Sequence, residues 1–91
     1  MAPPSTLPRH MAIVDMTLPR WGASMAEGTI TRWLKAVGER VEEGEVVCEV
    51  ETEKVNAEVE APTSGRLAEI LVSPGTTVGV GTPIARIQEE E

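Results

Sequence analysis

The chain has 91 residues, enough for one small domain, and sets 15 acidic against 8 basic side chains for a net charge of −7. That balance argues against nucleic acid or an anionic membrane as partner; it favours a basic protein surface, or else serves only solubility. Two Trp and no Phe or Tyr leave Val, Ile, Leu, Ala and Met to build the core, while a single Cys and a single His leave no material for a disulfide framework, a cysteine-based zinc site or a histidine triad.

Residues 1–10 are Pro-rich and aperiodic, unlike a secretory signal or a transit peptide. They read as a disordered leader, either of expression origin with a junction at His10-Met11 or a natural tail, so the domain is expected to span 11–88. No apolar run approaches the roughly 20 residues of a membrane span. Strands are predicted at 12–17, 28–35, 40–42, 46–52, 55–61, 65–72, 77–79 and 83–88. Gly- and Pro-bearing turns separate them, as at Val37-Gly38-Glu39 and Ser73-Pro74-Gly75. Short strands with this punctuation indicate an all-β sandwich or barrel. Residues 28–35 could pass for a helix start, but their β-branched alternation favours a strand. Glu89-Glu90-Glu91 reads as a solvated acidic tail or the start of a linker.

Two of the predicted strands meet at Lys54. Around a two-residue turn of Glu53 and Lys54, Glu51 faces Asn56, Val50 faces Ala57, Glu49 faces Glu58 and Cys48 faces Val59. Val50, Cys48, Ala57 and Val59 then share one face and the acids the other; a one-residue slip would turn acids onto the core, so the register is strongly specified. With neither Gly nor Asn in the turn, type I is expected over the primed types. Cys48 on the apolar face reads as a small core residue.

The chain also repeats. Residues 28–51 shifted forward by 37 positions, without a gap, place Gly28 on Gly65, Ile30 on Leu67, Trp33 on Ile70, Gly38 on Gly75, Val41 on Val78, Gly44 on Gly81, Val47 on Ile84 and Val50 on Ile87. Two copies are too few for a solenoid. They predict one domain with a pseudo-twofold axis. The same shift carries Lys54 onto Glu91, so the second half has no equivalent lysine hairpin. Elsewhere there is no activated Ser, Cys or His pair and no phosphate loop.

The pentapeptide Glu51-Thr52-Glu53-Lys54-Val55 resembles the lipoylation motif of lipoyl domains, and the resemblance extends over about residues 13–88. Gly38, sixteen residues before the lysine, and Gly65, eleven after it, match structural glycines of that family. Glu27-Gly28-Thr29, Trp33-Leu34 and Ala61-Pro62-Thr63-Ser64-Gly65 also look like family signatures. The resemblance implies a flattened barrel, a sandwich of two four-stranded antiparallel sheets with pseudo-twofold symmetry.

It further implies the swinging-arm carrier of the acyltransferase (E2) component of a 2-oxoacid or acetoin dehydrogenase complex. Lys54 would carry covalently bound lipoic acid, with Glu53 and Val55 as flanking recognition residues. Implied partners are the thiamine-diphosphate enzyme (E1), the flavoprotein dihydrolipoamide dehydrogenase (E3) and a lipoate ligase or lipoyl transferase. The implied setting is a bacterial cytoplasm or a mitochondrial matrix. The isolated domain would be a non-catalytic monomer. Trp21, in the loop that the family places beside the lysine, is a candidate for partner recognition, or else covers the barrel end with Met25. Glu51 and Glu58 are candidates for recognition by charge. The Trp-Gly-x-Ser-Met form of the loop looks more like pyruvate or acetoin than 2-oxoglutarate domains. Two rival readings share the fold. Biotinyl carriers resemble it but have Met on both sides of the lysine, where this chain has Glu53 and Val55. Unmodified structural lipoyl-like modules resemble it too, but generally lack the lysine.

Overall fold

A computed structural model describes residues 12–90. The leader, the junction at Met11 and the terminal Glu91 lie outside the described residues. Eight strands form: β1 (Ile13–Thr17), β2 (Glu27–Trp33), β3 (Arg40–Val41), β4 (Val46–Glu51), β5 (Asn56–Glu60), β6 (Gly65–Ile70), β7 (Thr77–Gly79) and β8 (Pro83–Glu89). They make two four-stranded antiparallel sheets, ordered β1-β8-β6-β3 and β5-β4-β2-β7. The all-β sandwich read from the sequence is the fold found.

The pseudo-twofold axis is visible in individual hydrogen bonds. Gly38 N–H donates to the Leu67 carbonyl at 2.8 Å and Gly75 N–H to the Ile30 carbonyl at 2.7 Å, each one the other's image under the 37-residue shift. Leu34 to Val47 repeats as Leu71 to Ile84, and Glu39 to Ala36 repeats as Thr76 to Ser73. Gly38 and Gly75 both sit at positive φ, +95° and +91°, where a side chain would be strained. The repeat therefore encodes the same turn twice, and each half donates into a strand of the other.

The core lies between the sheets and is aliphatic. Its fully buried members include Met16, Leu18, Ile30, Val41, Val47, Val50, Leu67, Ile84 and Ile87. Fully burying a side chain such as Val, Leu, Ile or Met stabilises by roughly 1.5–3 kcal/mol. Trp33 is half-buried, packs against this cluster, and donates its indole N–H to the Val72 carbonyl at 2.9 Å. It is a packing residue, like its repeat partner Ile70.

Strict alternation fails at two matched places. Val47 and Cys48 are consecutive and both buried, as are Ile84 and Ala85. The β4–β5 register slips between Val46 and Cys48, and the β1–β8 register slips where Met16 pairs with Ala85 but Thr17 with Pro83. A β-bulge adds one residue to a strand and turns it inward, so two neighbours can both face the core.

The end of the chain differs from the solvated tail read from the sequence. Strand β8 runs through Glu89, whose N–H donates to the Ala12 carbonyl at 2.8 Å and whose carboxylate accepts the Thr63 hydroxyl at 2.6 Å. Glu90 pairs with Arg40 at 3.4 Å and Arg66 at 3.0 Å. The charge run hid a strand end because its partners, Ala12, Thr63 and two arginines, are distant in sequence. The shorter strands β2, β4, β5 and β6 stop one or two residues inside their predicted ends.

Gly65 belongs to β6 because β8 leaves it no room. A Cβ there would collide with the Gln88 carbonyl and lie 2.9 Å from the Glu89 Cα. Backbone on both sides cannot relax cheaply. Gly65→Ala is expected to cost about 2 kcal/mol or more in urea denaturation. Gly22→Ala, with nothing within 4 Å of the new methyl, is expected to stay within about 0.5 kcal/mol of the parent.

Candidate functional site

Lys54 sits at the tip of the β4–β5 hairpin. The strands below it pair as the alternation requires: Glu51 with Asn56, Val50 with Ala57, Glu49 with Glu58, and Cys48 with Val59. Buried Val50, Cys48 and Val59 hold that register, since slippage would carry acids inward. Among the described residues no non-glycine residue has positive φ, which excludes the primed turns and type II for Glu53-Lys54.

The turn is closed in a way the pairing pattern did not disclose. Thr52 N–H donates to the Val55 carbonyl at 2.8 Å. The Val55 N–H, instead of reaching the Thr52 carbonyl, donates to the Thr52 hydroxyl at 3.1 Å, and that hydroxyl donates to the Val55 carbonyl at 2.9 Å. The Lys54 N–H also points to the Thr52 hydroxyl, at 3.4 Å. Thr52 thus ties both ends of the tip through its side chain. The signal was present as a threonine just before the turn, a residue whose hydroxyl substitutes for backbone partners in tight turns.

Lys54 is exposed, and among the described residues it forms no ion pair. The lysine and arginines that are paired, Lys35, Arg40, Arg66 and Arg86, take no acid from the hairpin. Among the described residues, Glu49, Glu51, Glu58 and Glu60 on the outward face of β4 and β5 form no ion pair; Glu49 stands between Arg32 of β2 on one side and Glu58 of β5 on the other. Like charges in that position repel. Cys48, one layer beneath, is not a competing nucleophile: burial, with a smaller contribution from the Glu49 carboxylate, pushes its thiol up to about 12.

The loop 18–26 stands beside the tip. Trp21, Met25, Glu51, Glu53, Lys54 and Val55 all line one open cleft of about 530 Å³. Gly28 and the Thr29–Thr77 hydroxyl pair, 2.7 Å apart, belong to the same hollow or its floor. The structure thus brings five of the sequence-derived site residues together: Trp21, Glu51, Glu53, Lys54 and Val55. Glu58 is not among them. It lines a neighbouring hollow with Asp15 and Glu60, and Trp21 is shared by the two. Gly38 and Gly65 serve the scaffold at the other pole, where Gly38 bonds Leu67 and its carbonyl accepts the Arg66 guanidinium at 3.0 Å.

The loop holds its own shape. Trp21 N–H donates to the Met25 thioether at 3.3 Å, Met25 N–H to the Gly22 carbonyl at 3.0 Å, and Arg20 to the Ala23 carbonyl at 3.1 Å. Chemically, the arrangement offers one accessible primary amine at the tip, beside the Glu51 and Glu53 carboxylates, and no metal-binding cluster among the described residues.

Comparison with known proteins agrees with this geometry. A family model described as "Biotin-requiring enzyme" matches residues 14–87. The dihydrolipoyllysine-residue acetyltransferase component of the pyruvate dehydrogenase complex of Corynebacterium glutamicum is 50% identical over 76 residues, 84% of this chain and 11% of that protein. The lipoamide acyltransferase component of the branched-chain alpha-keto acid dehydrogenase complex of Bacillus subtilis is 44% identical over 80 residues, 88% of this chain and 19% of that protein. The chain spans less than a fifth of the length of these curated relatives. Among solved structures, the lipoyl domain of the 2-oxoglutarate dehydrogenase complex of Azotobacter vinelandii superposes with a TM-score of 0.69 at 36% identity, covering 86% of this chain and 99% of that one.

The Thr52 closure has a measurable share in the tip. Thr52→Val keeps the shape and removes the hydroxyl, so it is expected to cost about 1 kcal/mol in denaturant unfolding. Amide exchange at Val55 is expected to accelerate while that at Val50 is unchanged.

Proposed function

The chain belongs to the lipoyl-domain family, within the wider group of biotin- and lipoyl-attachment domains, and we propose that Lys54 is the residue on which it carries covalently bound lipoic acid. The observation that carries this reading is the lysine itself: exposed, free of ion pairs among the described residues, and set on a turn that Thr52 and the strand register hold rigid. When attached, the group supplies a disulfide that accepts an acyl group and two electrons. The protein supplies position and recognition.

The function is that of a carrier domain of an acyltransferase (E2) component. The thiamine-dependent E1 enzyme loads it, and the E3 flavoprotein restores it. The compartment that goes with this reading is a bacterial cytoplasm or a mitochondrial matrix. Tethering raises the effective concentration of the reactive group at each successive site. The relatives named above serve pyruvate, branched-chain and 2-oxoglutarate complexes at 36–50% identity. A fold without a deep substrate pocket fits all three, because the carrier need not select the oxoacid by enclosing it.

A biotinyl carrier is the second reading, supported by the family description. The residues flanking Lys54 favour lipoate: Glu53 and Val55 stand where the methionines of the biotinyl motif would be.

Partner docking rests on the unpaired acids. Amide formation removes the Lys54 charge and makes the tip more acidic, which favours basic partner surfaces. Trp21, exposed between the two hollows, is the apolar contact of that surface.

Incubation with a lipoate ligase is expected to add the lipoyl mass once per chain, and Lys54→Ala is expected to remain unmodified. A biotin adduct instead, or no lipoyl adduct on folded domain, would overturn the assignment. In steady-state acylation by a thiamine-dependent dehydrogenase that accepts the domain, the double variant Glu51→Lys, Glu58→Lys is expected to react at least about tenfold slower at low salt. The deficit is expected to shrink at high salt, where exposed charges are screened; an equal rate at low salt removes the docking claim.

A further inference from the structure

Two pairs of matched bonds relate the start of the chain to its middle. Glu89 N–H bonds the Ala12 carbonyl as Thr52 N–H bonds that of Val55, and Leu18 N–H bonds the Thr82 carbonyl as Ala61 N–H bonds that of Glu45. Strand β1 is thus the image of β5, with Asp15 on Glu58, Met16 on Val59 and Thr17 on Glu60. All six line the smaller hollow, of about 440 Å³, together with Trp21. That hollow therefore straddles the pseudo-twofold axis, between an edge strand of one sheet and an edge strand of the other. Trp21 has no image there: ten positions separate Leu18 from Gly28, but four separate their counterparts Ala61 and Gly65.

Both strands leave one edge open at this hollow. Among the described residues β1 pairs only with β8, and β5 only with β4. Antiparallel strands alternate between residues bonded across the ladder and residues whose N–H and C=O point away from it. The bonds of Val55 and Ala61 fix that phase in β5, so the backbones of Glu58 and Glu60 point away from β4. Ala12 and Leu18 fix it in β1, where Asp15 and Thr17 point away from β8. The hollow thus has backbone donors and acceptors along both walls, with buried Met16 and Val59 beneath. Its charge is one-sided. Asp15 already holds Arg86 at 3.2 Å, whereas Glu58 and Glu60 form no ion pair among the described residues.

From this placement we infer that the open edge of β5 is a docking strand: an extended segment of a partner protein, with arginine or lysine at alternate positions, adds beside β5 in the hollow between β5 and β1. Main-chain bonds to Glu58 and Glu60 supply the pairing, and side chains at alternate positions supply the selectivity. Two basic side chains two residues apart stand on the same face as the Glu58 and Glu60 carboxylates, directly opposite them, and the apolar side chain between them faces Met16 and Val59. Trp21 supplies an aromatic surface for a guanidinium at the rim. A second copy of this chain is a poor occupant, because edge-to-edge pairing would set its acids against these. Acids on an exposed edge strand deter such self-pairing, and the same charges select a basic strand instead. The inference rests on the reading that the acidic face docks a basic partner, and it is independent of any modification of Lys54.

The test is amide exchange by NMR on the intact chain with Lys54 unmodified. In the free chain the Glu58 and Glu60 amides are expected to exchange faster than those of Ala57 and Val59, which face β4. A capped peptide of alternating arginine and valine is expected to protect the Glu58 and Glu60 amides and to shift the Trp21 indole signal. The double variant Glu58→Gln, Glu60→Gln is expected to bind it about fivefold more weakly, the effect of losing two cross-strand charge pairs, while unchanged Val50 and Ile87 amide signals report an intact fold. The same peptide N-methylated at its arginines keeps the charge but lacks the donors, and is expected to give no protection. Equal binding of the two peptides without protection shows attraction by charge alone and overturns the docking strand while the acidic-face reading stands. Protection at Asp15 and Thr17 instead, or Glu58 and Glu60 amides already slow in the free chain, overturns it too. No binding of either peptide at low salt overturns both the docking strand and the acidic-face reading. The carrier assignment is untouched by any of these results, since no lipoyl group takes part.

Discussion

Neither half of this chain can bury its own strands. Each repeat supplies a few short aliphatic strands and a glycine turn, and its apolar face closes only against the other copy. The reciprocal bonds from Gly38 to Leu67 and from Gly75 to Ile30 state that dependence at single-atom resolution. Everything at the lysine pole inherits it. Val50 and Cys48 are pinned by residues of the opposite sheet, and their pinning sets the β4–β5 register that puts Lys54 at the apex. A core with no Phe or Tyr is well suited to this, because branched aliphatic side chains on two thin sheets interlock at short range.

Much of this was legible from residues alone. Alternation around Glu53-Lys54 was enough to pair Glu51 with Asn56 and Cys48 with Val59, because burial on one face leaves a single register without buried charge. The 37-residue repeat matched Gly38 with Gly75 and Gly28 with Gly65 and sorted Trp33 with Ile70 as packing, while the family resemblance singled out Gly38 and Gly65 as structural. What escaped was what period-two reasoning cannot express. A bulge puts Val47 and Cys48 on the same side, and nothing in Val46-Val47-Cys48 marks it. The hydroxyl closure by Thr52 is a side-chain choice made within a turn already recognised. Glu89 and Glu90 looked solvated because an acidic run is usually solvated; their partners lie 24 to 77 residues away. The cleft required the loop 18–26 to be placed in space.

Charge and shape are distributed unequally between the poles. At one end, Arg40 and Arg66 are paired with Glu42 and Glu90. At the other, Glu51, Glu53 and Glu58 remain unpaired around a lysine with no partner among the described residues. Repulsion between Glu49 and Glu58 slightly weakens the hairpin, a cost the aliphatic layer below readily carries. An acidic surface tolerated at an exposed apex is the arrangement expected where the counter-charge arrives on another molecule.

The symmetry also makes the hydrogen bond from Glu89 to Ala12 the image of the one from Thr52 to Val55. Among the described residues the backbone path is thus a ring in all but one link: one of two equivalent strand pairs is covalently continuous at its tip and bears Lys54, and the other, β8 with β1, closes at its end through that hydrogen bond. Linking Glu90 to Ala12 by a short turn and cutting at Glu53–Lys54 would give a circular permutant with every ladder preserved. The attachment point and the paired strand ends are thus symmetry-related positions of one circuit, alike in backbone and different only in which of them carries the lysine.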